Sequence, residues 1–505
     1  TLTIRYDFDD VRLTAASAYY ERHERVNGYN GTLYDLSYFQ QLLDPSQPGG
    51  PVDPAGNPCP ACRSDLFPLL RMDGLNLPGA PPFLVDATIF NAQFNYTQEV
   101  RLESSDADAP VNWLIGAFYA EQKEHSTDRS VDPDLVNISP FLFGESVTDI
   151  WGMGLLPGNV EYINDTVSHD RQLALFADAT LNLTRRLKLD AGVRYAWTHF
   201  DFVNYADGPL NFGASGGSGS ENERPLTPRL GLSFQADADN LFYASVARGY
   251  RPGGANAPFP ESICQADLDA MQISSTPASY QSDTVTSYEA GARNRLLNRR
   301  VTAAFSVYHA VWDRIQQANY LASCGFQYTA NLGAAVSDGF DLDADVTVTD
   351  SLKVTLSLGY TDARYSRTTR TGPAVAAPIL SNEGDSLGAP RWTVALGAQY
   401  DFFLADEPAF VRLDYAYAST DPRTIPARDP STTSYDPYLP RQPETHYLSV
   451  RAGADLGFCD INVFADNLLN AHPQLNLNHQ DQFTELLEAT TFRPRTIGLS
   501  LTRRY

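Results

Sequence analysis

The chain has 505 residues and a formal net charge of −24, with 61 Asp and Glu against 37 Lys and Arg. That acidic surplus argues against general nucleic-acid binding, which needs clustered Lys and Arg to meet phosphates. Mean hydropathy is −0.30, and no stretch approaches the ~18 apolar residues of a transmembrane helix, yet a transmembrane barrel hides its apolar face in every second residue and is not excluded by either number.

Taken from the N-terminus, the informative signal is period two. No basic segment followed by an apolar run, the pattern of a signal peptide, opens the chain. Strands are expected near 2–8, 11–22, 90–104 and 111–125. The hairpin 170–184 and 186–203 shows the pattern well: Leu173, Leu175, Ala177, Ala179, Leu181 and Leu183 share one face, then Leu187, Leu189, Ala191, Val193, Tyr195 and Trp197 after a TRR turn. Side chains two apart lie on the same side of a strand, so each strand has one greasy and one polar side. The unit recurs near 226–236, 239–251, 284–295, 299–313, 335–348, 352–366, 389–402, 409–420, 444–456, 459–468 and 494–505, about 17 strands in all. Many exceed ten residues, long for a globular strand and suited to a tilted membrane span.

Connections alternate in length. Short ones read DFDD, SSDADAPV, LTRR, QADAD, LLNRR, VTD, FFLADEP and GFCD, and long ones cover roughly 23–89, 127–169, 204–225, 252–283, 314–334, 367–388, 421–443 and 469–493. Short turns at one end and long loops at the other predict an all-β, transmembrane antiparallel β-barrel over 1–505. Parity adds an expectation. The last strand follows a long loop and runs inward, and so does the first, so an even-stranded barrel requires an odd number of strands before Thr1.

Few segments suggest chemistry. ARGYRPGG, Ala247–Gly254, lacks the Lys and the following helix of a phosphate loop, and GASGG, Gly213–Gly217, sits in a flexible run rather than a strand-to-helix elbow. Asp341, Asp343 and Asp345 alternate with Phe340, Leu342 and Ala344, which reads as an acidic ladder facing the lumen rather than a metal loop. The eight histidines have no i, i+4 pairing, so neither a metal site, a cofactor nor a catalytic constellation is expected. Cys59 and Cys62 form a C-x-x-C pair that can mean zinc, redox chemistry or a local disulfide. Zinc would need two further ligands, for which His23 and Asp65 are a poor set, so the disulfide fits better. Cys264 and Cys324, in successive long loops, suit a loop-to-loop bridge, and both bridges imply an oxidising compartment. Aromatics at strand ends, such as Tyr19, Tyr195, Trp197 and Trp392, read as interfacial girdles.

Several segments occurring in order resemble the TonB-dependent outer-membrane receptors: YTQEVRLESS with NWLIGAFYAEQ, then NLFYASVARGYRPGGAN, SYEAGARNRLLNRRVTAAFSVYHAVWDRIQ, NLGAAVSDGFDLDADV and VFADNLLN. The closing PRTIGLSLTRRY, with Ile497, Leu499, Leu501 and Tyr505, resembles the C-terminal strand read by the barrel-assembly machinery, except for Arg at 503. The resemblance implies a barrel of about 22 strands in the bacterial outer membrane, with roughly five strands, the plug domain and the TonB box lying outside this chain. It implies import of a scarce, bulky nutrient such as a ferric siderophore, energised through TonB with ExbB and ExbD, without enzymatic chemistry or a cofactor. Outer-membrane lipid and lipopolysaccharide, a small-molecule ligand and no nucleic acid are the implied partners. Ligand contacts are expected at the extracellular rim, at Arg248, Tyr250 and Arg251. A passive outer-membrane porin is the alternative, and a soluble all-β binding or carbohydrate-active protein a more distant one.

Overall fold

A computed structural model describes residues 1–28, 31–44, 63–66, 79–106, 109–321, 324–479 and 487–503. Its main element is one antiparallel sheet of 18 strands. In chain order these are β1 (Leu2–Asp7), β2 (Val11–Asn27), β3 (Asp86–Ser104), β4 (Val111–Val131), β5 (Val160–Asn182), β6 (Leu187–Asp207), β7 (Ser215–Glu223), β8 (Leu226–Asp237) and β9 (Asn240–Arg251). They continue as β10 (Asp283–Leu296), β11 (Val301–Asp313), β12 (Ala334–Thr347), β13 (Leu352–Tyr365), β14 (Trp392–Leu404), β15 (Glu407–Ala418), β16 (Thr445–Asp455), β17 (Cys459–Asp466) and β18 (Thr496–Arg503). Each strand pairs with its sequence neighbours, except that β7 and β8 share the edge of β6. They fill one column broken at Arg224–Pro225, where proline has no N–H to donate, so the sheet has the 17 columns expected from the alternation. Among the described residues β1 pairs with β2 alone and β18 with β17 alone.

The register explains the composition. Across β8 and β9, Leu230 faces Val246, Leu232 faces Ala244 and Phe234 faces Phe242. Directly opposed residues share a side of the sheet, and Leu230, Leu232, Phe234 and Phe242 are all exposed large hydrophobics. A continuous apolar band of this kind is a liability in water and an ordinary surface in hydrocarbon. The opposite side is polar: Arg229 binds Asp178 at 2.6 Å, Tyr243 donates to Glu289 at 2.5 Å and Ser357 donates to Asp343 at 2.6 Å. Aromatics bound the apolar band, with Phe340 and Tyr360 stacked at 5.8 Å and Tyr360 4.8 Å from Trp392.

The strands are unequal. β3, β4, β5 and β6 have 19, 21, 23 and 21 residues, about twice what a tilted membrane span requires. Beyond the aromatic Tyr19, Tyr96 and Tyr119, their outer face turns charged, with His23 against Glu21, Lys123 against Glu121 and Arg171 against Asp201. β2 to β6 therefore rise past the bilayer as a wall at the long-loop end. The expected loops at 23–89, 127–169 and 204–225 are correspondingly shorter than the alternation suggested.

The 204–225 segment differs most. The Gly/Ser run is not a flexible loop: Ser215–Glu223 pairs residue for residue with Ala206–Thr198 of β6. Its small residues are what the site requires, since a Cβ on Gly219 would lie 2.6 Å from the Phe202 ring and 2.8 Å from the Ala255 methyl. The long edge of β6 supplies the hydrogen bonds that an apolar pattern would otherwise have announced.

On the wall sits a helical cap. α1 (Gly31–Leu43), α2 (Leu135–Phe143) and α3 (Val147–Trp151) come from the β2–β3 and β4–β5 connections. Leu36, Phe39 and Leu43 form a helical stripe that is fully buried with Phe83, Ile138, Leu142, Phe143, Ile150 and Trp151. Phe39 is the hub, with its ring 5.9 Å from Phe143 and 6.3 Å from both Phe83 and Trp151. α2 ends at Gly144 and α3 at Gly152, both left-handed, and Ser146 with Asp149 makes a capping box that starts α3.

Candidate functional site at the long-loop end

Three features gather at this end: the expected rim residues on β9, an arginine-rich cavity among the later loops, and an acidic cluster under the cap. β9 alternates, so Arg248 and Tyr250 lie on one side and Arg251 on the other, and the three do not converge. Arg251 is engaged with its neighbours. It pairs with the buried Asp283, donates to the Gln316 carbonyl at 3.2 Å and lies 5.6 Å over the Trp312 ring. The Tyr250 hydroxyl accepts from Gln172 Nε2 at 2.7 Å, and Arg248 reaches Thr284 Oγ1 at 3.4 Å. These contacts hold the top of β9 to β5 and β10.

Cys264 and Cys324 are disulfide-bonded, with a Cα–Cα distance of 5.2 Å. The bridge ties α4 (Gln265–Met271) to the connection after β11, where Cys264, Met271, Leu321 and Tyr328 form a second buried cluster and Phe259 stacks on Phe326 at 5.1 Å. Cys59, Cys62 and Tyr505 lie outside the described residues. Ile497, Leu499 and Leu501 share one side of β18 opposite Ala465, Val463 and Ile461 of β17, and all three are exposed.

The loops after β13, β15 and β17 enclose a cavity of about 180 Å³ lined by Asp421, Arg428, Leu439, Gln442, Gln474 and Leu477 among others. Beside it, Asp362 near the end of β13 accepts from Arg364 at 2.7 Å, Arg423 at 3.0 Å and Arg391 at 3.3 Å. Asp421 holds the Arg423 backbone N–H at 3.0 Å. Arg428 is different. Its Nε and Nη1 are buried with no hydrogen-bond partner, and burial together with nearby Arg441 holds its guanidinium below its usual value. Asp421 lines the same cavity and its charge acts on Arg428, but no hydrogen bond or ion pair joins the two among the described residues, which leaves the Arg fork to suit an anionic group of a ligand.

The acidic cluster escaped sequence reading altogether. Asp35 of α1, Asp132 just past β4 and Glu161 near the start of β5 bring carboxylate oxygens within 4.8 Å of one another. They are 2 %, 0 % and 0 % exposed. A register shift between Ser130 and Val131 re-aims the chain at this point, as bulges do. Burial first, and then the repulsion of neighbouring carboxylates, raises all three above the ordinary carboxyl range. The signal was invisible because the residues come from distant segments joined only by the fold.

Residues 1–468 match the family model described as TonB dependent receptor-like, beta-barrel. Among characterised proteins, the chain is 24% identical over 201 residues to the pesticin receptor of Yersinia enterocolitica, covering 40% of this chain and 27% of that one. It is 25% identical over 150 residues to the metal-pseudopaline receptor of Pseudomonas aeruginosa, covering 30% and 18%. Among solved structures, the ferric yersiniabactin uptake receptor of Yersinia pestis superposes with a TM-score of 0.65 at 15% identity, over 99% of this chain and 60% of its own. The siderophore receptor PiuA of Acinetobacter baumannii gives 0.62 at 12% identity, over 100% and 63%. At such identities the structural likeness shows the fold alone, and the chain spans less than two thirds of each relative.

Proposed function

The chain belongs to the TonB-dependent receptor-like β-barrel family of the bacterial outer membrane, and from that premise we propose that it serves a receptor that captures a scarce, bulky nutrient such as a ferric siderophore for import energised through TonB with ExbB and ExbD. The observation that carries the substrate class is Arg428: a half-buried cation with unpartnered donors at a cavity built from three outer loops. Metal chelates present carboxylate, catecholate or hydroxamate oxygens, and a bidentate Arg meets such groups directionally. A relative named for pseudopaline-bound metal supports the same class. The apolar band, with aromatics above it and charged residues beyond, fits lipid tails and then lipopolysaccharide head groups. The relatives are transport receptors, and no covalent step enters the reading.

Uptake of radiolabelled ferric chelates separates this reading from a passive porin. A strain deleted for the gene and complemented with its full length takes up one chelate class only when TonB is functional. Swelling of liposomes by small solutes, with uptake indifferent to TonB, would establish the porin instead.

A further inference from the structure

Asp35, Asp132 and Glu161 are a cost with no visible return. An isolated buried carboxylate is destabilising unless it is paired, hydrogen-bonded or coordinated to a metal. Among the described residues no Lys, Arg or His forms an ion pair with any of the three. Asp132 Oδ1 accepts from the Asp134 backbone N–H at 2.8 Å. Asp132 Oδ2, Asp35 Oδ2 and both oxygens of Glu161 meet no N–H or hydroxyl donor, and the hydrogen bond open between Asp35 and Glu161 requires that one of the two carry a proton. Glu161, fully buried, thus places into the cluster a carboxylate that, when ionised, has neither a cation nor an N–H or hydroxyl donor as partner.

Geometry and donor type identify what is missing. Oxygens bound to one cation at about 2.4 Å lie at most twice that distance apart, and the three carboxylates offer oxygens within 4.8 Å of one another. The donors are all hard oxygens, with no His or Cys, which selects a calcium-type ion over zinc or copper. We propose that Asp35, Asp132 and Glu161 bind one Ca²⁺ that fastens the helical cap to the ends of β4 and β5.

The site links α1 to the ends of β4 and β5, which are already hydrogen-bonded to each other. Its ion would neutralise most of the charge that burial leaves uncompensated and fix α1 against the wall. The cap is at the outer surface, where Ca²⁺ is abundant, and affinity in about the 0.1–1 mM range of extracellular calcium modules would keep the site filled.

The test uses the purified full chain in detergent, with Tb³⁺ as a luminescent probe sensitised by the aromatic cap and Ca²⁺ as competitor. The expected result is one saturable site, displaced by Ca²⁺, whose affinity falls at least about tenfold in Glu161→Gln and in Asp132→Asn. Asp343→Asn, in the lumen ladder, is expected to leave it unchanged. Ca²⁺ is also expected to slow proteolysis within residues 132–159 in the wild type and not in the two variants. If either variant fails to fold, the wild type alone decides: cap protection identical in Ca²⁺ and in EGTA overturns the proposal. So does Tb³⁺ binding that Glu161→Gln leaves intact or that Asp343→Asn abolishes.

Discussion

Gly208 lies against the backbone of Glu161, so close that a Cβ at position 208 would fall 2.2 Å from the Glu161 carbonyl oxygen. Its φ of +115° is also one that side chains rarely adopt. The end of β6 thus presses directly on the residue that carries the unpartnered carboxylate. Gly208→Ala is expected to push the two strands apart and destabilise the cap by roughly 1–3 kcal/mol, the scale of a strained backbone position. Hydrogen exchange in α1 and α2 should accelerate, while exchange in β10 to β15 should not change.

Phe39 offers a cleaner perturbation of the cap. It is fully buried and its ring meets Phe83, Phe143 and Trp151. Phe39→Ala should cost about 3–5 kcal/mol of cap stability through lost burial and an unfilled cavity. The barrel derives nothing from that core, so heat-modifiable migration on a gel should be unaffected. Protease cleavage between Leu135 and Trp151 should rise.

The sequence announced the sheet far better than what decorates it. Period-two alternation located every column, because a lipid-facing strand must place an apolar side chain at every second position. β7 went unseen because Ser215–Glu223 carries no such alternation: it stands beyond the bilayer, where its backbone ladder with β6 and the His199–Asn222 side-chain contact need no apolar face. α1 went unseen because Leu36, Phe39 and Leu43 lie in a long connection whose surroundings are polar and rich in Gly and Pro. Arg248, Tyr250 and Arg251 could be picked by residue type, but only the ladder shows that they point to different sides. Asp35, Asp132 and Glu161 have no local pattern, and their meeting is a property of the tertiary structure.

The Cys264–Cys324 bridge encloses a separation of 60 residues. By loop-closure entropy such a link contributes up to about 4 kcal/mol to the segment it closes. Reduction, or Cys264→Ser with Cys324→Ser, should raise hydrogen exchange around Met271, Leu321 and Tyr328. The strands β10 and β11 inside the loop are held by their own ladders, so their protection should persist.

Asp429 gives the outer loops a defined acid response. Its carboxylate accepts from the Ser431 backbone N–H at 2.9 Å, from Asn382 Nδ2 at 2.8 Å and from Ser431 Oγ at 2.8 Å, which holds it below its ordinary value. A folded-state value lower than the unfolded one adds stability above the unfolded value of about 3.9, lost as pH falls through the folded value. The link between the β13–β14 and β15–β16 loops should therefore be insensitive to pH from neutrality down to about 5 and weaken below about 4. Protection factors for residues 426–434 measure this, and Asp429→Asn should flatten the response.

Arg428 is the sharpest test of ligand chemistry, because it can be set against another Arg of the long-loop end whose work is structural. Arg251 has a buried Asp283 as its partner, so Arg251→Ala leaves that carboxylate with the Gln316 backbone N–H but no cation and should lower stability, with any loss of binding following from misfolding. Arg428 Nε and Nη1 have no partner to strand. Arg428→Ala should leave folding and heat-modifiability intact while weakening an anionic ligand by about 10- to 100-fold, the worth of a charge-assisted hydrogen bond. Arg428→Lys should recover part of that loss by restoring charge without the bidentate fork. Equilibrium binding of the transported chelate to the three variants distinguishes these outcomes. Equal affinity in Arg428→Ala and wild type would move the ligand site away from this cavity.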